Sequence, residues 1–362
     1  MKERTRDRIK DGFGGLINNA AAMRGAKNGP LWLTIVMFFL SILLPVLPLF
    51  ISAANTSGSA FIGNNSYGVE RYVTAVAIEL KNNNHEFILD ENHEMTVNNI
   101  DYNAFITFDA GDETKVTSAT PIASYTNSVT GQYEFMVYAS NLSGDSKQAR
   151  NLNKLVGETR YVVKSTTEKD AINDPEGTQY YRPTYAIVFK NTIYVVVYYQ
   201  EKAVSASLGG NFSQIKPNDK CLETILTVTN KDGTAVEASL TNVEYCNGVL
   251  KNCKRFLNKT YDAIKWKNTF ATSGIYLAIF VGLSLFMGLL MWIMTRGKNN
   301  PNNYFSLWLC MKIEARLALT PGILTLVIGL FLTQYASMIF ILTMGLRVMW
   351  ISMKELRPMQ QQ

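Results

Sequence analysis

Two long apolar stretches frame the chain. Leu31 to Ala53 reads LWLTIVMFFLSILLPVLPLFISA, 23 residues without a charge, and Phe270 to Thr295 runs for 26 residues without one. A bilayer core asks for about 20 apolar residues per spanning helix, so each predicts a span. A third apolar region, Pro321 to Met353, is overlong for one helix at 33 residues. It reads as a hairpin of two spans, Leu317 to Thr333 and Ala336 to Ser352, turning near Gln334 and Tyr335.

Between the first and second spans the pattern changes. VTAVAIEL (Val73 to Leu80), EFMVYA (Glu134 to Ala139), RYVVKS (Arg160 to Ser165), YAIVFK (Tyr185 to Lys190) and TIYVVVYY (Thr192 to Tyr199) carry β-branched and aromatic residues and predict strands. Turn clusters separate them, among them Asn82-Asn83-Asn84, Gly111-Asp112 and Asp174-Pro175-Glu176-Gly177. Glu223 to Tyr245 predicts a hairpin turning at Asp232-Gly233, and a second is expected at Lys190-Asn191. Ser143 to Leu155 lacks strand character and is expected to leave the sheet as a helix or an irregular excursion. From Asn247 to Lys267, Leu250, Phe256, Leu257, Tyr261 and Ile264 share a helical face, which predicts a helix leading down to the membrane. The fold class expected is an α+β membrane protein, with four transmembrane helices and a large strand-rich domain inserted between the first and second.

Leu31 to Ala53 admits two readings, a cleaved signal peptide or a retained anchor. An apolar run well beyond the usual 7–15 residues, behind about 30 residues of basic chain, favours the anchor. Pro45 and Pro48 are expected to kink its outer end. The basic segment before it places Ile9, Phe13, Leu16, Ile17 and Ala20 at helical spacing, as an interfacial helix or a frayed tail would.

Charge placement then sets the orientation. The net charge is +6, but residues 1–30, 296–316 and 347–362 together hold +9 and the rest of the chain −3. Lys and Arg collect on cytoplasmic flanks, so the excess reads as positive-inside topology and excludes nucleic acid as the expected partner. The expected plan is a cytoplasmic basic amphipathic segment 1–30 and span 31–53, then an exofacial β-rich domain 54–267. Span 270–295, a cytoplasmic amphipathic helix 296–316, spans 317–333 and 336–352 and a cytoplasmic tail 353–362 follow. Both termini lie inside a cell membrane crossed four times.

Candidate chemistry is sparse. His85 and His93 stand eight residues apart and do not form the one-face pair of a zinc protease. Neither a phosphate loop nor a nucleophile elbow is present, so no enzyme, metal or cofactor is expected. Arg347, inside a proposed span, is expected to snorkel to headgroups, and Lys312, Arg316 and Trp308 to meet them from the amphipathic helix. Gly274, Ala278 and Gly282 predict a helix-packing face in the second span. Cys221 and Cys246 bracket the expected hairpin and form a candidate disulfide, with Cys246–Cys253 as its competitor. Five N-x-S/T sequons begin at Asn55, Asn64, Asn141, Asn211 and Asn258.

The layout, with its YAIVFKNTIYVVVYY hairpin and a span cluster entered through YFSLWLCMKIEARLALTPGILT, resembles the domain-of-unknown-function 1189 family of bacterial membrane proteins, some of which are labelled maltodextrin-utilisation proteins. This resemblance implies no catalytic residues. The expected function is that of a non-enzymatic accessory or sensory membrane protein, bound to a membrane partner such as a transporter or secretion complex and presenting an extracellular interaction domain. The rival is a small-solute or lipid transporter component, against which the scarcity of polar groups in the spans argues.

Overall fold

The structure is a computed structural model that describes residues 14–16, 18–62, 69–162, 180–199, 202–296, 300 and 302–354. The expected strand beyond Val162, the turn at Asp174 to Gly177, residues 1–13 and the tail from residue 355 lie outside the described residues. The chain forms two compact units: one of Met1–Asn55 with Lys267–Gln362, the other Thr56–Trp266. The first unit opens with helices α1 (Asn19–Asn28) and α2 (Leu31–Asn55). The fold mixes helix and strand, and among the described residues three helices are long and apolar enough to cross a membrane.

In the Thr56–Trp266 unit a 3-10 turn, Gly58–Ile62, precedes α3 (Val69–Asn82) and the hairpin β1 (Phe87–Leu89) and β2 (Met95–Val97). The short helix α4 (Tyr102–Phe105) leads into a second hairpin, β3 (Ile106–Phe108) and β4 (Val116–Ala119). Next come β5 (Ala123–Thr126), β6 (Tyr133–Ala139), α5 (Lys147–Glu158), β7 (Tyr161–Val162) and β8 (Tyr180–Tyr181). The strands β9 (Thr184–Val188), β10 (Thr192–Tyr199) and β11 (Lys202–Asn211) then precede α6 (Cys221–Leu226). Helix α7 (Val243–Met294) contributes to both units, this one through Trp266.

Five strands make the main sheet in the order β11-β10-β9-β6-β5. β6 and β9 pair in parallel and the other neighbours antiparallel. A parallel pair needs a crossover connection, and α5 lies within it; the segment from Ser143 to Leu155 therefore leaves the sheet, and it is helical from Lys147 on. Period-two alternation splits the sheet's residues between two cores. Met136, Tyr138, Tyr185, Ile187 and Val196 pack with Ala149, Leu152 and Val156 of α5. Val137, Ala139, Ala186, Val188 and Val195 face the other way, into a core shared with α3, α6 and α7. The β9–β10 hairpin turns at Lys190-Asn191, where Phe189 N donates to Thr192 O at 2.8 Å.

Two expectations fail in this unit. VTAVAIEL is helical within α3, not a strand, because its apolar residues repeat at the helical period: Val73, Val76, Ala77 and Leu80 are all buried on one face. Glu223 to Tyr245 is not an extended hairpin either. Asp232-Gly233 does turn, with Gly233 at φ +84°, but the arms meet only around Thr229 and Ala235, since Cys221–Leu226 is helix and α7 begins at Val243.

The helical unit closes with α8 (Leu307–Leu317), α9 (Leu319–Gly329) and α10 (Ala336–Lys354). The three span-capable helices are Leu31–Asn55, Val243–Met294 and the stretch Thr333–Ile351. Residues 317–333, expected as a span, contain α9, a helix of 11 residues. At 1.5 Å per residue that is about 16 Å, roughly half a bilayer core. Gly322 and Gly329 let it lie close to α2: a Cβ at Gly322 would meet Ser41 O at 2.9 Å, and one at Gly329 would meet Pro48 Cγ at 3.0 Å. Ile42 and Val46 of α2, Phe280 of α7 and Phe340 of α10 form an apolar layer, with the two rings 4.9 Å apart between centroids. A second layer joins Ala22 and Ala26 of α1 to Ile313 and Leu317 of α8 and to Met344 and Val348 of α10. The N-terminal helix therefore buries a small-residue face against other helices.

Candidate functional site

The Thr56–Trp266 unit holds a groove of about 890 Å³ between the segment Ile215 to Thr229 and the part of α7 from Glu244 to Lys259. Its first wall is built around α6. The Glu86 carboxylate accepts from Leu222 N at 2.7 Å and Glu223 N at 3.2 Å, taking up N–H groups that the first turn of a helix leaves unpaired. Burial raises the pKa of Glu86, against the lowering effect of those bonds. At the other end of α6, side chains of α7 cap the free carbonyls. Asn252 Nδ2 donates to Thr227 O at 2.9 Å and Ile225 O at 3.2 Å, and Tyr245 Oη donates to Leu226 O at 3.1 Å. Gly248 lets Val228 rest directly on α7, where any larger residue would overlap it.

The facing wall carries Lys251, Arg255 and Lys259, exposed and four residues apart, hence stacked on one face of α7. Among the described residues no carboxylate lies within 4.0 Å of any of the three, whereas Lys220 across the groove pairs with Glu223 at 3.3 Å. Asp219 accepts from Thr224 Oγ1 at 3.1 Å. The groove thus presents a row of cations opposite two carboxylates that already have local partners.

Cys221, at the start of α6, is free and buried, and burial pushes its thiol up to about 12. Cys246 is also free and buried, and Cys253 is free and half-buried. The strand pairing that would have set Cys221 opposite Cys246 does not form, because each of the two cysteines lies in a helix. The two histidines stand apart from the groove: His85 Nδ1 lies 3.3 Å from Asn98 O, and His93 occupies a positive-φ turn. Among the described residues no three His, Cys, Asp or Glu side chains are grouped to hold a metal ion.

The helical unit collects polar groups of its own. Glu314 and Arg316 are 1% and 2% exposed. Ser284 Oγ of α7 donates to the Glu314 carboxylate, and Arg316 Nη2 donates to Thr34 Oγ1 of α2 at 3.3 Å. Arg316 therefore points in among the helices. The Arg347 guanidinium turns to the protein: it donates to Leu317 O at 2.9 Å, to Asn19 Oδ1 at 3.3 Å and to Gly15 O. Trp308 is exposed, and Lys312 Nζ lies 5.8 Å from its ring centroid. Gly274, Ala278 and Gly282 are exposed, and a Cβ on either glycine would meet nothing within 4 Å. The face of α7 that does pack carries Phe280, Ser284, Gly288 and Met291.

Spacing alone could have revealed the Lys251-Arg255-Lys259 row, but not the wall opposite, which depends on a helix at Cys221 that the β-branched sequence hides. Comparison with models of known protein families gives no match, and neither does comparison with curated proteins or with solved structures.

Proposed function

We propose that this chain is a non-enzymatic accessory or sensory membrane protein whose Thr56–Trp266 unit is exofacial and binds through the α7 groove. The observation that carries this reading is α7 itself. One helix supplies a groove wall, Glu244 to Lys259, and also a stretch apolar enough to cross a membrane. Occupancy of the groove bears directly on the helix that enters the bilayer. The positive-inside charge distribution supports the orientation, with both termini cytoplasmic. The exposed small residues Gly274, Ala278 and Gly282 offer a close-approach surface for a partner helix, such as one of a transporter or secretion complex. The resemblance to the domain-of-unknown-function 1189 family belongs to this proposal and agrees with a membrane accessory role. A fourth crossing, made by α8 and α9 together, is part of the same topology.

Photo-crosslinkers at Ala278 and at Thr229 in intact cells test the reading. A discrete adduct from each position, the second lost when Thr224→Trp fills the groove, is the expected result. Purified protein that moves a solute across liposomes unaided would overturn it. That second reading, transport, is favoured by one observation, the burial of Glu314 and Arg316 among the helices. In its favour Glu314→Gln would abolish flux while leaving the Thr229 adduct unchanged.

A further inference from the structure

We infer that the Lys251-Arg255-Lys259 face of the groove binds a soluble anion carrying two or more phosphate or carboxylate groups. The inference rests on the reading of the groove as a recognition site and names what it takes. Three features separate this row from an ordinary solvated helix face. First, the cations line a concavity of about 890 Å³. Second, other lysines of the same unit do have carboxylates, as Lys190 with Glu94 at 2.7 Å and Lys115 with Asp109 at 3.2 Å, while among the described residues these three have none within 4.0 Å. Third, the groove's own acids are engaged or distant. Asp219 is held by Thr224, Glu223 by Lys220, and Glu244 stands seven residues before Lys251, about 10 Å along the helix.

Residues four apart on a helix are separated by about 6 Å, so the row offers three positive groups along a line of about 12 Å. A single monovalent anion would engage one of them. An anion with several charged groups engages two or three at once, and Arg255 can grip one oxyanion with two parallel N–H bonds. Thr224, Thr227 and Asn252 line the same groove with polar side chains. Phosphate and carboxylate share this recognition chemistry, and the groove takes either.

Titration calorimetry on the full chain in zwitterionic-lipid nanodiscs, with tripolyphosphate and with citrate at low salt, tests the inference. One bound anion per chain is expected from at least one of the two probes, with affinity falling as salt is raised. Lys251→Gln, Arg255→Gln and Lys259→Gln combined should weaken binding by about tenfold or more. The charge-matched control Lys147→Gln, Arg150→Gln and Lys154→Gln, on α5, should change it by less than about twofold. All six positions are exposed on helices, and an unchanged thermal midpoint shows that both variants fold. Absence of binding by both probes, or equal loss in both triple variants, would overturn the anion assignment. The Thr229 adduct discriminates the failures: if it survives and Thr224→Trp still removes it, recognition stands without the anion; if Thr224→Trp leaves it intact, the recognition reading falls as well.

Discussion

Pro321 has no N–H to give the Leu317 carbonyl, and Arg347 supplies one from another helix. This exchange explains a charge inside an apolar stretch without assigning it to headgroups. The hydrogen bonds on either side, Ala318 N to Glu314 O at 2.8 Å and Gly322 N to Ala318 O at 2.9 Å, keep α8 and α9 nearly continuous around the gap. Arg347→Met should therefore destabilise the protein by about 1–3 kcal/mol. The cost should be smaller in a Pro321→Ala background, where the backbone N–H restored by that substitution can take over the carbonyl. A double-mutant cycle by denaturant titration in detergent checks this, and equal costs in the two backgrounds would contradict it. Cys221 gives a second residue-scale test. Its thiol is raised to about 12 in the fold by burial, against about 8.5 in an unfolded chain. The folded state then holds the proton more tightly, so this contribution to stability is complete below about pH 8.5 and is lost as pH rises toward 12. Alkylation at pH 8 should leave Cys221 unmodified until denaturant is added, as peptide mapping would show.

At the scale of elements, the legible parts were those whose period and composition agree. Thr192 to Tyr199 is a strand rich in Val and Tyr, and Leu31–Asn55 is apolar throughout. Val73 to Leu80 misled because its β-branched composition argued for a strand while its spacing argued for a helix, and burial of Val73, Val76, Ala77 and Leu80 decided the matter. Arg316 misled because α8 is not amphipathic in the expected sense. Its C-terminal half is buried on consecutive residues from Ile313 to Leu317, a property of the surrounding helices that no local pattern records. Packing inside the chain uses other glycines than the small-residue pattern singles out: Gly322 and Gly329 meet a neighbour, whereas Gly274 and Gly282 meet none within the chain. Gly322→Val should cost about 1–3 kcal/mol by forcing α9 from Ser41. Gly274→Ala should be neutral or stabilising, by up to about 1 kcal/mol, since it adds helix propensity without a clash. Thermal unfolding in detergent would show the contrast, and similar losses from both would contradict the packing described.

For the molecule as a whole, α7 contributes to both units, and the proposed function depends on which side of the membrane the Thr56–Trp266 unit lies. The sign of the flanking charges argues that Thr56–Trp266 is outside, and the groove on α7 has a biological role in ligand sensing only if that side is exposed to the ligand. Labelling of single cysteines by a membrane-impermeant maleimide in intact cells tests this most directly, in a chain whose native cysteines are replaced by serine or alanine. The account predicts that Thr229→Cys, at the groove rim, is labelled in intact cells, and that Lys354→Cys, at the end of α10, is labelled only after the membrane is permeabilised. Labelling of Lys354→Cys in intact cells with Thr229→Cys protected would contradict it.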